Sequence, residues 1–350
     1  MVRVFPADNF GPKSNVMDRP LIAIARGGYS GESVISHQSA ARMLEVLDRS
    51  VYDPVLLTID RSGWSASTPE GEPLVLDRGS LSVDRGSGAE QVRMVLIAIH
   101  GSPGEDGRLQ GFLDLLGIPY QTGGVLNTSL TFSKHTTTAL LRQLGHPVAG
   151  SMLLHRDLPM DLPAIAQEVG IPCFVKPDRS GSSLGISRVD SEEALGSAIA
   201  KAFDEDDLVL VEAAMKGREL TCGVVQLDGR VIALPLCEVV TSHTFFDFEA
   251  KYHAADTQEI VPAPVPEEVA RECQERSVRI YRDLDCRGLV RIDHIWGEHG
   301  IGTIEVNTTP GFTAASIVPR MLAASDLGEA EVVNGMVKDA LRRGGQPSER

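Results

Sequence analysis

The chain has 350 residues, and its 33 Lys and Arg stand against 48 Asp and Glu, so the formal net charge is -15. This acidic balance argues against nucleic-acid binding, because a protein that follows a phosphate backbone needs a concentrated basic surface. Hydrophobic residues make up 42% and charged residues 23%, which is ordinary globular usage and excludes a disordered, collagen-like or coiled-coil chain. The longest apolar stretches are far shorter than the roughly 20 residues that cross a bilayer, so no membrane span is predicted.

The first two predicted units each consist of a buried strand, a tight loop and a helix. Leu21–Ala25 is an apolar run that enters a Gly27-Gly28 turn and then a helical pattern reaching Leu47. The pattern returns where Met94–Ile99 enters a Gly-rich loop followed by apolar residues at helical spacing. Two such units predict a parallel sheet covered by helices. Residues 63–90 between them, rich in Ser, Gly and Asp, are interpreted as an excursion of short strands and turns.

The remaining elements alternate between strands and helices. Helices are predicted over 133–144, 191–203, 267–284 and 329–343, and strands over 172–176, 208–212, 231–240, 288–296 and 302–307. Residues 1–20 lack the apolar core of a secretory signal and are interpreted as an irregular extension. The five scattered cysteines, without a Cys-x-x-Cys pair, favour reduced buried thiols in a cytoplasmic protein.

The segments 289–296 and 302–307 predict an antiparallel hairpin that carries polar side chains at alternate positions. Alternation places Arg291 and Asp293 on one face of the first strand, and Glu305 and Asn307 on one face of the second. Carboxylate and amide oxygens suit magnesium, which fills its other positions with water and phosphate oxygens. The alternative is that these side chains form the solvent face of a half-buried hairpin.

A lysine and a Gly/Ser-rich loop close the predicted strand that ends at residue 176. The segment from Lys176 to Gly185 could cradle phosphate oxygens with its backbone amides. It has neither the spacing of the usual NTPase loop nor that of a dinucleotide fingerprint. Two other positions stay open on residue type alone: Glu32 could be a helix-dipole carboxylate, and His100 a half-buried structural histidine.

The order of these pieces resembles the ATP-grasp superfamily and, within it, the D-alanine-D-alanine ligases, over roughly residues 21–345. The similar blocks are 27–32, 100–111, 175–185, 249–252, 291–293 and 305–311. The resemblance implies an α/β fold in which an N-terminal parallel-sheet domain precedes a two-domain ATP-grasp module. The expected division is an extension (1–20), an N-terminal domain (21–122), a central subdomain (123–212) and a C-terminal subdomain with the metal and catalytic residues (213–347).

The resemblance assigns roles in binding ATP and cations. The implied ATP contacts are Lys134, Lys176, Ser182, Ser183, Glu212, Met215, Glu219, Phe245 and Lys251. Asp293, Glu305 and Asn307 would hold two Mg²⁺ or Mn²⁺ ions that neutralise the phosphates. Potassium is a further candidate cation, and a homodimer is the expected assembly.

The resemblance also implies ligation of two D-alanine molecules for peptidoglycan synthesis. The carboxylate of the first attacks the γ-phosphate of ATP, and the amine of the second then attacks the acyl phosphate. Arg291 and the amide of Gly311 would stabilise the oxyanion. The implied substrate contacts are Glu32 and His100 for the first alanine, and Ser316 and Ile317 for the second.

A closed loop that excludes water would be held by hydrogen bonds among Glu32, Ser182 and Tyr252. By the same resemblance, Tyr252 implies an amine acceptor in preference to D-lactate. Two departures from the family pattern are Val34, where a charged residue is frequent, and Ala213, where a lysine is common beside the adenine. The alternatives are another ATP-grasp ligase, including one that takes D-lactate or D-serine, and a non-catalytic nucleotide-dependent regulator on the same fold.

Overall fold

The computed structural model describes residues 19–181, 184–240 and 258–344, which form three β-sheets and the helices packed on them. The predicted site residues Ser182, Ser183, Phe245, Lys251 and Tyr252 lie outside the described residues. No helix within the described part of the chain is long and apolar enough to cross a membrane.

The N-terminal sheet has a parallel centre that is extended on one side by antiparallel strands. Its order is β6-β5-β4-β3-β2-β1-β7, with β1 (Leu21–Gly27) parallel to both β2 (Asp53–Asp60) and β7 (Met94–Ile97). The expected parallel strands are therefore present. The expected excursion forms β3 (Gly63–Ser67), β4 (Pro73–Asp77), β5 (Ser82–Asp84) and β6 (Ala89–Gln91), all antiparallel. The helices of this part are α1 (Ser33–Val46), α2 (Arg108–Leu116) and α3 (Val125–Phe132).

The middle sheet is a four-stranded antiparallel layer with the order β10-β9-β11-β8. Its strands are β8 (Ser151–His155), β9 (Cys173–Pro177), β10 (Ser187–Val189) and β11 (Leu208–Ala213). The adjoining helices are α4 (Lys134–Gln143), α5 (Leu162–Val169) and α6 (Glu192–Phe203). Ile165 of α5 and Leu195 of α6 pack on Val175 and Val211 of the sheet, so one face is covered and the other is left to line a cleft.

The third sheet carries the predicted hairpin. Its order is β15-β14-β12-β16-β17, with β13 on β12. The strands are β12 (Arg218–Leu227), β13 (Arg230–Ala233), β14 (Cys237–Val240), β15 (Gln258–Ile260), β16 (Leu289–Gly297) and β17 (Gly300–Asn307). The helices are α7 (Glu267–Asp283), α8 (Ile317–Ala323) and α9 (Glu329–Gly344). The single strand expected over 231–240 is two strands, interrupted around Pro235, whose nitrogen cannot donate to a ladder.

The first and third sheets share one hydrophobic core. Ile24 and Leu96 of the first sheet belong to the same buried cluster as Phe312, Met321 and Val337 from the C-terminal part. On the surface beside it, Arg42 of α1 donates to both carboxylate oxygens of Glu329 on α9, at 2.7 and 3.0 Å. This packing brings the loops that follow β7 and β17 against each other.

Candidate active site

A cleft of about 570 Å³ lies between the middle and third sheets. Its lining includes every described residue predicted to contact ATP: Lys134, Lys176, Glu212, Met215 and Glu219. Arg291, Asp293 and Glu305 of the hairpin lie along the same cleft. The structure thus gathers residues from five strands, one helix and one loop that are far apart in the sequence.

Lys176 and Glu212 form a buried ion pair on the cleft face of the middle sheet. Because β9 and β11 pair Lys176 with Leu210 and Phe174 with Glu212, the two charged residues are diagonal neighbours on one face. The Nζ atom of Lys176 donates to Oε2 of Glu212 at 2.6 Å, and both side chains are buried. The ammonium also lies 5.6 Å from the centre of the Phe174 ring. A cation is therefore held in place inside the cleft.

Lys134 is held at the N-terminus of α4 by the segment that follows β9. Ser133 caps the helix by accepting from the amide of Thr136, and Asp178 accepts from Ser133 Oγ at 2.8 Å and from the amide of His135 at 2.7 Å. The Nζ atom of Lys134 donates to the carbonyl of Ser180 at 2.6 Å and lies 4.0 Å from a carboxylate oxygen of Glu305. A helix N-terminus and a lysine together favour phosphate.

The hairpin of β16 and β17 places the four polar residues side by side. Asp293 lies directly opposite Glu305, and Arg291 opposite Asn307, so all four share one face. Asp293 is only 7% exposed, which rules out the alternative that this face is simply solvated. The register shifts between Asp293 and the next residue, and this irregularity adds twist where the four residues meet.

Arg291 and Asp293 form a two-pronged ion pair. Nη2 of Arg291 donates to Oδ2 at 2.8 Å and Nε to Oδ1 at 3.0 Å, while Thr221 Oγ1 donates to Oδ1 at 2.9 Å. Burial opposes the charge on the guanidinium, but Asp293 and then Glu305 more than offset it, so the pKa of Arg291 is raised. The planar fork suits this geometry in a way that a lysine could not.

The facing carboxylates could hold a divalent cation between the hairpin and a phosphate chain. No cluster of three His, Cys, Asp or Glu residues with the geometry of a metal site occurs within the described ranges. The donor set at the hairpin is instead two carboxylates and the amide of Asn307. This set fits a hard cation such as magnesium, which needs only one or two carboxylates when water and phosphate supply the rest.

A second cleft, of about 330 Å³, lies between the loops of the first and third sheets. All the described residues predicted to touch D-alanine line it: Glu32, His100, Arg291, Gly311, Ser316 and Ile317. The two clefts have five lining residues in common: Lys134, Ile186, Arg291, Glu305 and Ile317. They therefore meet at the hairpin, where a phosphate from one cleft could reach a carboxylate in the other.

Glu32 stands at the N-terminus of α1, but its side chain makes no capping hydrogen bond to that helix. It faces the second cleft instead, close to the loop that follows β9. A Cβ atom at Gly181 would lie 2.5 Å from Oε2 of Glu32, so the lack of a side chain at Gly181 lets the carboxylate lie directly against this backbone. The interpretation of Glu32 as a helix-dipole carboxylate alone does not account for this position.

Gly311 and Ser316 are also close to each other. A Cβ atom at Gly311 would lie 2.9 Å from Ser316 Oγ. Ser316 Oγ accepts from the amide of Thr313 at 3.1 Å. The segment therefore folds back on itself beside the cleft, with Ser316 just before α8.

His100 is fully buried rather than half-buried. Its Nδ1 lies 2.8 Å from the carbonyl oxygen of Thr309, and its Nε2 lies 3.2 Å from Ser39 Oγ. Burial is the largest influence on the pKa of this imidazole, and the pKa is lowered. His100 thus links the end of β7 to the loop after β17.

Sequence reasoning missed two acidic residues that line the second cleft. Glu105 accepts from the amides of Gly101 at 2.6 Å and Thr309 at 3.1 Å. Burial, and then the charge of Glu32, raise the pKa of Glu105 to about 8. Glu259 on β15 accepts from Arg320 at 2.7 Å, and burial raises its pKa. The sequence signals for Glu105 are its place in a Gly-rich loop between a strand and a helix and its position inside the similar block 100–111.

The three-sheet fold, with a nucleotide-sized cleft meeting a smaller one at a polar hairpin, is that of the ATP-grasp ligases. The family models for the N-terminus and the C-terminus of D-Ala-D-Ala ligase match residues 21–123 and 140–338. The chain belongs to the D-alanine-D-alanine ligase family.

Relatives of this family match nearly the whole chain. A D-alanine-D-alanine ligase of Porphyromonas gingivalis is 40% identical over 93% of this chain and 99% of its own length. One of Phocaeicola vulgatus is 38% identical over 91% of this chain and 98% of its own length. Among solved structures, D-alanyl-alanine synthetase A of Vibrio cholerae has a TM-score of 0.83 at 29% identity, covering 93% of this chain and 100% of that chain. The VanG D-Ala:D-Ser ligase of Enterococcus faecalis has a TM-score of 0.81 at 31% identity, covering 92% and 99%.

Proposed function

We infer that this chain joins two D-alanine molecules into D-alanyl-D-alanine, with ATP converted to ADP and phosphate, for peptidoglycan precursor synthesis. The observation that carries the inference is the meeting of the two clefts at Arg291 and Glu305. A ligase that activates a carboxylate needs the γ-phosphate and the carboxylate at one point. The two named relatives, which match 91% and 93% of this chain, support the same reaction.

In the larger cleft, Lys134 and Lys176 bind the phosphates of ATP, while Met215 and Glu212 lie at its adenine end and Glu219 at the ribose. Asp293, Glu305 and Asn307 would hold two Mg²⁺ or Mn²⁺ ions, which neutralise phosphate charge when bound. The observation in support is that the two carboxylates face each other directly across the hairpin. Lys134, 4.0 Å from Glu305, adds a positive charge at the same point.

In the smaller cleft, Glu32 holds the ammonium of the first D-alanine, with His100 behind the same subsite. The carboxylate oxygen of this alanine attacks the γ-phosphorus, the bond to ADP breaks, and an acyl phosphate forms. The activated carbonyl then lies next to Arg291 and the amide of Gly311, which donate to its oxygen as negative charge develops there.

The second D-alanine is bound through its carboxylate at Ser316 and the start of α8. Its amine attacks the acyl carbon, loses a proton, and expels phosphate as the peptide bond forms. Ile317 lines both clefts with a hydrocarbon side chain, which suits the methyl group of alanine. The proposed water-excluding contacts of Ser182 and Tyr252 with Glu32 involve residues that the structure does not describe.

A second candidate reaction uses D-serine as the acceptor. It is favoured by the likeness to the VanG D-Ala:D-Ser ligase, at 31% identity. The extra hydroxyl of serine would need a hydrogen-bonding partner in the subsite, because an unpaired hydroxyl in an apolar pocket is unfavourable. The apolar side chain of Ile317 therefore supports alanine as the main acceptor.

We also propose a cytoplasmic homodimer with the three-part division at residues 122 and 212. The five cysteines are all buried and free of disulfides, which suits a reducing compartment. Leu115 of α2 and Leu126 of α3 are 89% and 78% exposed, and such apolar side chains support a contact with a second copy. The three separate sheets support the division. Sedimentation equilibrium of the purified chain tests the dimer.

The experiment that tests the reaction is ADP release with ATP, magnesium and D-alanine, with the product identified by mass. Parallel reactions contain L-alanine, D-lactate, or D-alanine with D-serine. Release that needs D-alanine and yields the dipeptide is the expected result. A mixed D-alanyl-D-serine product in excess would favour the second candidate, and bound ATP without any release would contradict a ligase.

A further inference from the structure

The loop between β17 and α8 is held by side chains from the N-terminal part of the chain. Ser39 on α1, and His100 and Glu105 in the loop after β7, make hydrogen bonds to the backbone of this loop. Here Ser39, His100 and Glu105 are called the clamp. The loop contains Gly311, whose amide is proposed to face the oxyanion, so the position of this amide depends on what fixes the loop.

Hydrogen-bond direction in the clamp follows from the acceptor at one end. A carbonyl oxygen can only accept, so the Nδ1 atom of His100 carries the proton that it donates to Thr309 O at 2.8 Å. In the neutral ring Nε2 is then an acceptor, and Ser39 Oγ donates to it at 3.2 Å. The same Oγ accepts from the amide of Phe312 at 3.0 Å. Ser39 and His100 therefore form one continuous chain from Phe312 N to Thr309 O.

Glu105 also binds the backbone of the same loop. It accepts from the amide of Thr309 at 3.1 Å and from that of Gly101 at 2.6 Å. A carboxyl group retains acceptor oxygens whether ionised or protonated. Hydrogen bonds therefore fix the N–H and C=O groups of Thr309 on one side of Pro310-Gly311 and the N–H group of Phe312 on the other. Within this pair, the ring of Pro310 restricts its φ angle. The side chain of Phe312 is fully buried in the shared core.

We propose that the clamp residues are positioning residues that aim the Gly311 amide at the oxyanion of the second reaction step. The proposal rests on the proposed ligase function, because that function makes Gly311 a donor. Donors of this kind act when they lie about 2.7–3.1 Å from the developing oxyanion. A misplacement of about 1 Å can reduce the rate roughly 100-fold. Binding of ATP and of D-alanine in the ground state does not depend on the orientation of the Gly311 amide.

The test compares two buried serines on the same helix. Ser39→Ala removes the acceptor for Phe312, which is in the C-terminal part. Ser36→Ala is the matched control, because Ser36 is equally buried and its Oγ accepts from Gly27 at 2.9 Å within the N-terminal sheet. Each protein is titrated with ATP and with a dipeptide phosphinate, in which a tetrahedral P–O⁻ replaces the attacked carbonyl. The values of kcat and KM are measured alongside.

Ser39→Ala should weaken phosphinate binding and lower kcat, each by about tenfold, because one of several restraints on the donor is lost. Its affinity for ATP and its KM for D-alanine should stay within about twofold of wild type, since ground-state binding does not use the oxyanion donor. Ser36→Ala should keep wild-type phosphinate binding. Equal phosphinate affinity and equal kcat in the two variants would overturn the proposal.

A second variant covers the case in which Ser39→Ala does not fold. Glu105→Gln keeps one acceptor oxygen but turns an NH₂ group toward one of the two amides that Glu105 now accepts from. It should show the same selective loss of phosphinate binding, and unchanged phosphinate binding would contradict the clamp. A wild-type protein that makes no dipeptide and binds no phosphinate would instead refute the ligase function itself.

Discussion

Replacing Lys176 by methionine tests whether the buried pair with Glu212 is one energetic unit. The two side chains are 11% and 5% exposed, and their charged atoms are 2.6 Å apart. Methionine removes the ammonium and leaves the Glu212 carboxylate without its cation in a site that excludes most water. Breaking a buried pair in this way typically destabilises a protein by about 3–5 kcal/mol, and we expect the lower end, since the pair faces a cleft.

The double variant Lys176→Met/Glu212→Leu separates the charge effect from packing. An apolar pair of similar volume is often as stable as the buried ion pair that it replaces. We therefore expect it to regain most of the loss, with a coupling of about 2–3 kcal/mol in the double-mutant cycle. Lys338→Met is the control, because Lys338 pairs with Asp228 at 2.9 Å on the exposed surface, where ion pairs contribute little.

Urea unfolding monitored by circular dichroism measures these differences. The free energies of unfolding are compared between variants whose m-values, the slopes against urea concentration, are equal. ATP titration of the same proteins provides the second readout: the single and double variants should both lose ATP affinity, although the double variant is stable. A double variant no more stable than the single one would refute the reasoning, since the stranded carboxylate would then not be the cause. ATP binding retained without Lys176 would refute its assignment to the phosphates.

Asp293→Asn should abolish dipeptide formation, measured by mass, because a neutral amide cannot balance the charge of cations at the phosphates. Thermal unfolding of this variant should remain cooperative. A wild-type rate of dipeptide formation would contradict the assignment of Asp293 to the metal ions. Phe312→Ala should lower the free energy of unfolding by about 3–5 kcal/mol, since Phe312 is fully buried; a urea midpoint near wild type would contradict this. Glu105 has a folded-state pKa of about 8, above the ordinary 4.5. The folded state therefore binds more protons, and its stability should fall as pH rises from about 4.5 to 8. Glu105→Gln should flatten this part of the stability profile.

The hairpin shows what a sequence pattern can establish. Alternation along β16 and β17 was enough to place Arg291 with Asp293 and Glu305 with Asn307, because side chains on a strand repeat every two residues. The pairing register, in which Asp293 faces Glu305, depends on where the turn forms. The structure has a shorter turn than the sequence predicts, with β17 starting at Gly300 instead of Gly302.

Other features depend on contacts that no local pattern encodes. Strand β12 (Arg218–Leu227) is buried along most of its length, so it lacks the alternation that marks a half-buried strand. The role of Ser39 depends on Phe312, 273 positions further on, and only the packing of the first sheet on the third brings them together. Glu105 likewise meets Thr309 across 204 positions.

The ion pairs in the clefts explain how an acidic chain with a net charge of -15 can bind ATP, which is itself an anion. Lys176 pairs with Glu212, and Arg291 pairs with Asp293, so neither cation is left uncompensated in a low-dielectric site. Lys176 is proposed to bind a phosphate oxygen, and Arg291 the oxyanion of the second step. Each cation would then exchange a carboxylate oxygen for another negatively charged oxygen, or bind both, so its electrostatic environment would change little. Asp293, which is proposed as a metal ligand, would then face the divalent cations that accompany the nucleotide. We infer that the resting pairs pre-organise the charges, so that substrate binding requires little rearrangement of charge before phosphoryl transfer.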